Sequence, residues 1–215
     1  MKVWTPEAPM RVAVLASGGG SNLQALLDAC LPGAPARVVL VMSDKPDCGA
    51  LKRARLAGVQ TTVLQDPGNA ATILQALDAA GTDLVVLAGY LKLVPAEVVR
   101  VFAGRIVNIH PALLPAFGGP GMYGARVHQA VLATGATLSG ATVHHVIEEY
   151  DRGPIVAQWP VPVRPDDTPE TLAARVLEVE HKLLPAVVLT AARAGRVVRL
   201  TPASAFGMPE LVGEA

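Results

Sequence analysis

Short apolar runs alternate with helical stretches through the first half of this chain, and that alternation limits the fold more than any single residue does. Residues 11–16 (RVAVLA) read as a strand, followed by the turn SGGGSN and a helix with Leu23, Leu26, Leu27 and Cys30 at helical spacing. Residues 37–43, 59–64, 83–88 and 106–109 repeat the strand pattern. Helices are predicted between them at 52–57, 70–80 and 96–103, the first two stopped by Gly58 and Gly81 and the third begun after Pro95. Strands separated by helices must pair in parallel, and right-handed crossovers put helices on both faces of the sheet.

The pattern changes after residue 109. Residues 110–124 (HPALLPAFGGPGMYG) are rich in Pro and Gly, and a loop of that length in a compact domain is usually functional. A helix is predicted at 125–133. Strands follow at 139–147 and 155–163, the second at a sheet edge because it carries Pro160 and Pro162. The link between them is too short for a crossover, so they pair antiparallel. Thr168 and Pro169 suit the N-cap and first position of a long last helix, and 196–200 reads as a small strand. Residues 1–9 form an N-terminal extension expected to be loose, with Met10 as a second candidate start. Residues 10–200 form one domain, and 201–215 a loosely ordered tail.

Of 215 residues, 51% are hydrophobic and 17% charged, which allows a large core and excludes disorder. Eighteen basic residues balance 18 acidic ones, so no basic surface for nucleic acid or anionic membrane is expected. No run is long enough to span a membrane and no leader pattern opens the chain. Cys30 and Cys48 are far apart, with no metal-ligand spacing, and are expected as reduced thiols in a cytoplasmic protein.

Five segments carry candidate chemistry. Glycines in SGGGSN let the backbone approach a small anion at a helix N-terminus, although one glycine suffices for a plain turn. The segment lacks the spacing of a dinucleotide or Walker loop. LAGYLKLVP (87–95) leaves the fourth strand as an apolar lip suited to a flat ring, or to packing on its own sheet. NIHPALLP (108–115) places Asn108 and His110 at a strand end, followed by a tight turn in which a cis Leu114–Pro115 bond fits. Alone, such a pair more often completes a turn than catalyses. The charged turn EEYDRGP (148–154) places Asp151 forty-one residues after His110, where a meeting of the two would favour and orient an imidazolium. His144 and His145 face opposite sides of a strand, with His144 on the side of Thr142.

Taken in order, SGGGSNLQAL, LAGYLKLVP, VNIHPALLP, GATVH and EEYDRGPIV resemble the phosphoribosylglycinamide formyltransferases, the glycinamide ribonucleotide transformylases. NIHPSLLP-like and D-x-G-P segments belong to the wider folate-dependent formyltransferase group, and SGxGSNLQ singles out this member. The resemblance implies a single-domain, Rossmann-like, three-layer α/β fold. Its seven-stranded sheet is mostly parallel, with an antiparallel C-terminal part. It further implies formyl transfer from 10-formyltetrahydrofolate, as co-substrate, to the amine of glycinamide ribonucleotide in de novo purine synthesis. No metal, nucleic acid or membrane is called for, and the chain is a monomer or homodimer.

By the same resemblance, Asn108, His110 and Asp151 are catalytic. Gly19, Gly20, Ser21, Asn22 and Glu180 hold the substrate's phosphate and ribose. Leu87, Tyr90, Leu91, Lys92, Leu93, Val94, Ile147 and Tyr150 form the folate pocket, and Thr142 and His144 support the site. The chain departs from the family in the 116–123 loop, which is longer, and in Lys92, where arginine is common. It also lacks the basic residue often found near the third helix. In the mechanism expected here, protonated His110 and the Asn108 amide hold an oxyanion while Asp151 takes the amine proton through water. Two other readings are a formyltetrahydrofolate deformylase-like hydrolase and a non-catalytic nucleotide- or folate-binding protein. The deformylase adds a regulatory domain and methionyl-tRNA formyltransferase a nucleic-acid-binding domain; a neutral chain of this length is expected to have neither.

Overall fold

The computed structural model of the chain describes residues 8–201. The expectations for residues 1–7 and 202–215 lie outside the described residues. Seven strands form one sheet in the order β3-β2-β1-β4-β5-β6-β7. They are β1 (Met10–Leu15), β2 (Ala36–Ser43), β3 (Gln60–Val63), β4 (Leu84–Leu87), β5 (Ile106–His110), β6 (Leu138–His145) and β7 (Ile155–Pro162). The first five are parallel, while β6 runs antiparallel to β5 and to β7. The helices are α1 (Ser21–Ala29), α2 (Gly49–Leu56), α3 (Ala70–Ala79), α4 (Ala96–Val101), α5 (Ala125–Ala133) and α6 (Pro169–Ala194).

Alternation along each strand divides the core into two layers. Val12, Val14, Leu84, Val86, Val107 and Ile109 face one side, where Leu23 and Leu26 of α1, Leu51 of α2, Val131 of α5 and the apolar face of α6 cover them. Ala13, Leu15, Val85, Leu87 and Ile106 face the other side, against Ile73 and Leu77 of α3, Val98 of α4 and Phe102, which caps α4. Central strands buried on both faces explain the nearly continuous Val/Leu runs.

Local chemistry sets the element ends. The Thr168 side chain accepts from Thr171 N–H, Pro169 follows at the first helical position, and Gly195 ends α6 in the left-handed conformation at φ 69°. β7 is an edge strand, as its two prolines require. Some boundaries differ from the pattern. α2 begins three residues early, at Gly49, because Cys48 in an extended conformation serves as its N-cap. β6 stops at His145, leaving 146–151 free to turn. Residues 196–200 form no strand: Leu200 N–H alone bonds Val156 O, 2.8 Å away, instead of a ladder.

Candidate active site

β1 is flanked by β2 on one side and β4 on the other, so the direction of strand succession reverses there. Ligand crevices in open α/β sheets form beyond the carboxyl ends of strands at such a point. A cavity of about 800 Å³ opens at this rim, with Asn22, Leu87, Asn108, His110, Asp151 and Glu180 in its wall.

Asn108 and His110 are two residues apart on β5 and therefore share a face. The antiparallel register sets Asn108 opposite His144 and His110 opposite Thr142. Four polar side chains thus stand on one face of two strands. Thr142, fully buried, braces the loop that follows His110: its hydroxyl donates to Ala112 O (2.6 Å) and accepts from Leu114 N–H (3.0 Å). Gln158 Nε2 donates to the same hydroxyl and to Leu114 O. The Leu114–Pro115 bond is cis.

His110 is almost fully buried, and its Nε2 lies 2.8 Å from Phe117 O. A carbonyl only accepts, so Nε2 carries the hydrogen and Nδ1 is the nitrogen that titrates. Nδ1 faces Asp151 Oδ2 at 3.7 Å, an ion-pair distance rather than a hydrogen bond. Burial lowers the His110 pKa, and this outweighs the opposing pull of Asp151 and the Phe117 carbonyl; His144 lowers it further. Against the imidazolium expected from the sequence, the cost of burying the charged ring exceeds the gain from one carboxylate at that distance, which favours the neutral form.

Asp151 reaches the rim on the turn after β6, with φ 54°, a left-handed conformation that Asp tolerates better than most residues. Burial raises its pKa, but the neighbouring His144 ring, the Gly119 N–H and the nearby His110 together hold it below the usual carboxylate range. Gly119 N–H donates to Oδ2 at 2.8 Å. Gly153 allows the turn to lie against the sheet, since a Cβ there would sit 1.7 Å from His145 O. His144 Nδ1–H donates to His145 O (2.8 Å), which leaves its Nε2 to accept from Asn108 Nδ2 at 3.0 Å. The second hydrogen of that amide meets Asp151 Oδ1 only at 3.5 Å and is the weaker-held of the two.

All eight residues assigned to the folate pocket line this cavity: Leu87, Tyr90, Leu91, Lys92, Leu93, Val94, Ile147 and Tyr150. Asn22 and Glu180 also line it, with Asn22 Nδ2 donating to Glu180 Oε2 at 2.6 Å. Burial pushes the Glu180 carboxyl up to about 7 against that hydrogen bond. The buried Asn22 Oδ1 has no partner among the described residues.

Gly19, Gly20 and Ser21 are not brought to the cavity wall. Gly20 caps α1 at φ 75°, and a Cβ there would lie 2.6 Å from Ala50 Cα. Its smallness serves close packing on α2. Gly19 O accepts from Arg53 Nε at 2.9 Å, so a basic side chain does stand beside this loop, contributed by α2 rather than by the region of α3. Ser21 and Arg53 border a separate groove. His128 of α5 lines the main cavity, buried, with Nδ1 unpartnered among the described residues. It escaped the sequence reading because a lone histidine on an amphipathic helix carries no spacing signal.

Among the described residues, no group of three or more His, Cys, Asp or Glu is placed to hold a metal ion, and no helix is long and apolar enough to cross a membrane. The two cysteines are free thiols.

The family model described as formyl transferase matches residues 10–188. A chloroplastic phosphoribosylglycinamide formyltransferase of Arabidopsis thaliana is 49% identical over 83% of this chain, which spans 64% of that protein, just under two thirds of its length. A phosphoribosylglycinamide formyltransferase of Mycobacterium tuberculosis is 45% identical, with 90% of each chain covered. Among solved structures, glycinamide ribonucleotide transformylase 1 from Symbiobacterium toebii superposes with a TM-score of 0.82 at 40% identity, covering 93% of this chain and 98% of its own. With most of its length matched and its sheet order and strand ends accounted for, the chain belongs to the formyl transferase family.

Proposed function

We propose that this protein transfers the formyl group of 10-formyltetrahydrofolate to the amine of glycinamide ribonucleotide, a step of de novo purine synthesis. The observation that carries the reading is the convergence of Asn108, His110 and Asp151 at the end of β5, inside one cavity large enough for two substrates. The apolar wall from Leu87 to Val94, with Ile147 and Tyr150, suits a flat pterin ring. The opposite end, at Asn22 and Glu180, suits a ribose hydroxyl, and the first turn of α1 favours the attached phosphate. The relatives at 40–49% identity that carry the same activity in their names support this assignment.

The chemistry follows from which atoms are free. The substrate amine attacks the formyl carbon, a C–N bond forms, and the carbonyl electron pair moves onto oxygen. The Asn108 N–H that is weakly held by Asp151 turns to this oxyanion. The new ammonium passes a proton to the free lone pair of His110 Nδ1, and Asp151, on that side of the ring, stabilises the imidazolium as it forms. Collapse of the intermediate restores the carbonyl and breaks the bond to folate N10, which takes the proton from Nδ1. His110 ends neutral, as it began.

A steady-state assay with three arms tests the reading. With both substrates, tetrahydrofolate appears in step with formylglycinamide ribonucleotide, and neither substrate alone gives turnover. Formate released from the donor alone would make the protein a hydrolase, and binding without turnover would make it a non-catalytic binder. Either result would overturn the proposal.

A further inference from the structure

Ser17 does not line the cavity and is 3% exposed, yet both substrate segments meet on it. The chain runs from Ser17 straight into Gly18–Gly20. Across the reversal between β1 and β4, the segment 89–94 hangs on it. Ser17 N–H donates to Gly89 O at 3.0 Å, and Ser17 Oγ accepts from Leu91 N–H at 3.0 Å. Among the described residues these are the two hydrogen bonds made by residues 89–94. The segment has no helix or strand of its own. Tyr90 and Val94 are buried in the core near its two ends, while Leu91 and Leu93 between them stand 43% and 47% exposed, so the tether at Leu91 holds the stretch that packing leaves free.

A hydroxyl has one proton to give. Asp44, just past the end of β2, takes it: Ser17 Oγ–H donates to Asp44 Oδ1 at 2.6 Å. The carboxylate thereby fixes the hydroxyl rotor and leaves a lone pair for the Leu91 amide. Three consecutive strands of the sheet order, β2, β1 and β4, are joined at their carboxyl ends by this relay.

We propose that Ser17, its hydroxyl aimed by Asp44, is a positioning residue that holds the 89–94 segment in the shape that receives the ring of the formyl donor. This rests on the donor reading above. The affinity for the donor, rather than the rate of transfer, is what the relay controls, because neither residue reaches the cavity.

The test combines kinetics with amide exchange in the substrate-free protein. Ser17→Ala raises the donor KM by roughly three- to tenfold, the range for one lost hydrogen bond, and leaves kcat and the ribonucleotide KM within about twofold. Asp44→Ala behaves the same way, and serves alone should Ser17→Ala not fold. Asp44→Asn, which keeps an oxygen acceptor for the hydroxyl, restores the wild-type donor KM. Exchange of the Leu91 amide quickens in both alanine variants and not in Asp44→Asn. An unchanged donor KM in the alanine variants, or a joint loss in kcat and both KM values, would overturn the proposal. So would Asp44→Asn behaving like Asp44→Ala. A wild-type protein without turnover would instead sink the donor reading, and the proposal with it, even where exchange shows the tether to be real.

Discussion

At Asn108 the demands of the site compete within a single side chain. One amide hydrogen is held at 3.0 Å by His144 and the other loosely at 3.5 Å by Asp151, so the same amide is both anchored and available. Asn108→Ala removes the available hydrogen, and kcat is expected to fall by roughly 10²–10³. Circular dichroism should show the fold retained. For His110 the expected value is a neutral Nε2–H tautomer with a pKa below the ordinary 6.5, read by ¹⁵N NMR titration. Asp151 raises that pKa, so Asp151→Asn lowers it further and costs most of the turnover, since the imidazolium loses its stabilising partner. An upward shift in that variant would contradict the assignment. The placing of Asn108 and His110 at a strand end and of Asp151 on a charged turn was legible in the sequence, while their catalytic roles came only from the family resemblance. The protonation state of His110 was not legible, since it depends on how much of the ring the 116–119 loop covers.

Two elements fix where these side chains stand. The turn carrying Asp151 lies against β6 only because Gly153 has no Cβ, which would fall 1.7 Å from His145 O. Gly153→Ala must push the turn off the sheet and carry Asp151 away from His110. It is expected to lose both turnover and roughly 1–3 kcal/mol of stability in urea unfolding, as overpacking does. The start of α1 depends in the same way on Gly20, at φ 75° against Ala50, so Gly20→Ala is expected to cost a similar roughly 1–3 kcal/mol. The sequence pointed to both turns; at the glycine loop it read anion contacts, and did not foresee that Gly20 also packs on Ala50 and that Gly19 O accepts from Arg53 of α2. Periodicity reports which face of an element is apolar; it carries no information on how closely two backbones approach. The 196–200 segment was misread for a related reason: an apolar composition fits a strand, while ladder formation needs a free edge along its whole length.

Across the whole molecule, the alternation of strands and helices was enough to forecast the parallel half, and the short link after β6 its antiparallel pairing with β7. The antiparallel pairing of β6 with β5 was not legible from connection length, since the link that holds α5 is long enough for a parallel crossover. The two-layered core then leaves its few buried ionisable groups at the carboxyl rim and along α6. Burial holds His110, His128, His145 and His181 below the ordinary histidine value. The unfolded chain therefore binds more protons than the folded one as pH falls through about 6.5, and that share of stability is present above this value and lost below it. Glu180 acts in the opposite sense. Its folded value of about 7 exceeds the ordinary 4.5, so its contribution is full at low pH and lost as pH rises through 7. Glu180→Gln is accordingly expected to melt higher than wild type at pH 8 and at the same temperature near pH 4.5, with calorimetry as the check. The central claim is that Asn108, His110 and Asp151 serve direct transfer between two bound substrates. It is tested most directly by supplying the donor with a ¹³C-labelled formyl carbon and locating the label by mass spectrometry. The account predicts label in the amide of formylglycinamide ribonucleotide, one per donor consumed, and none in formate; label in formate, or formate formed without the ribonucleotide, would contradict it.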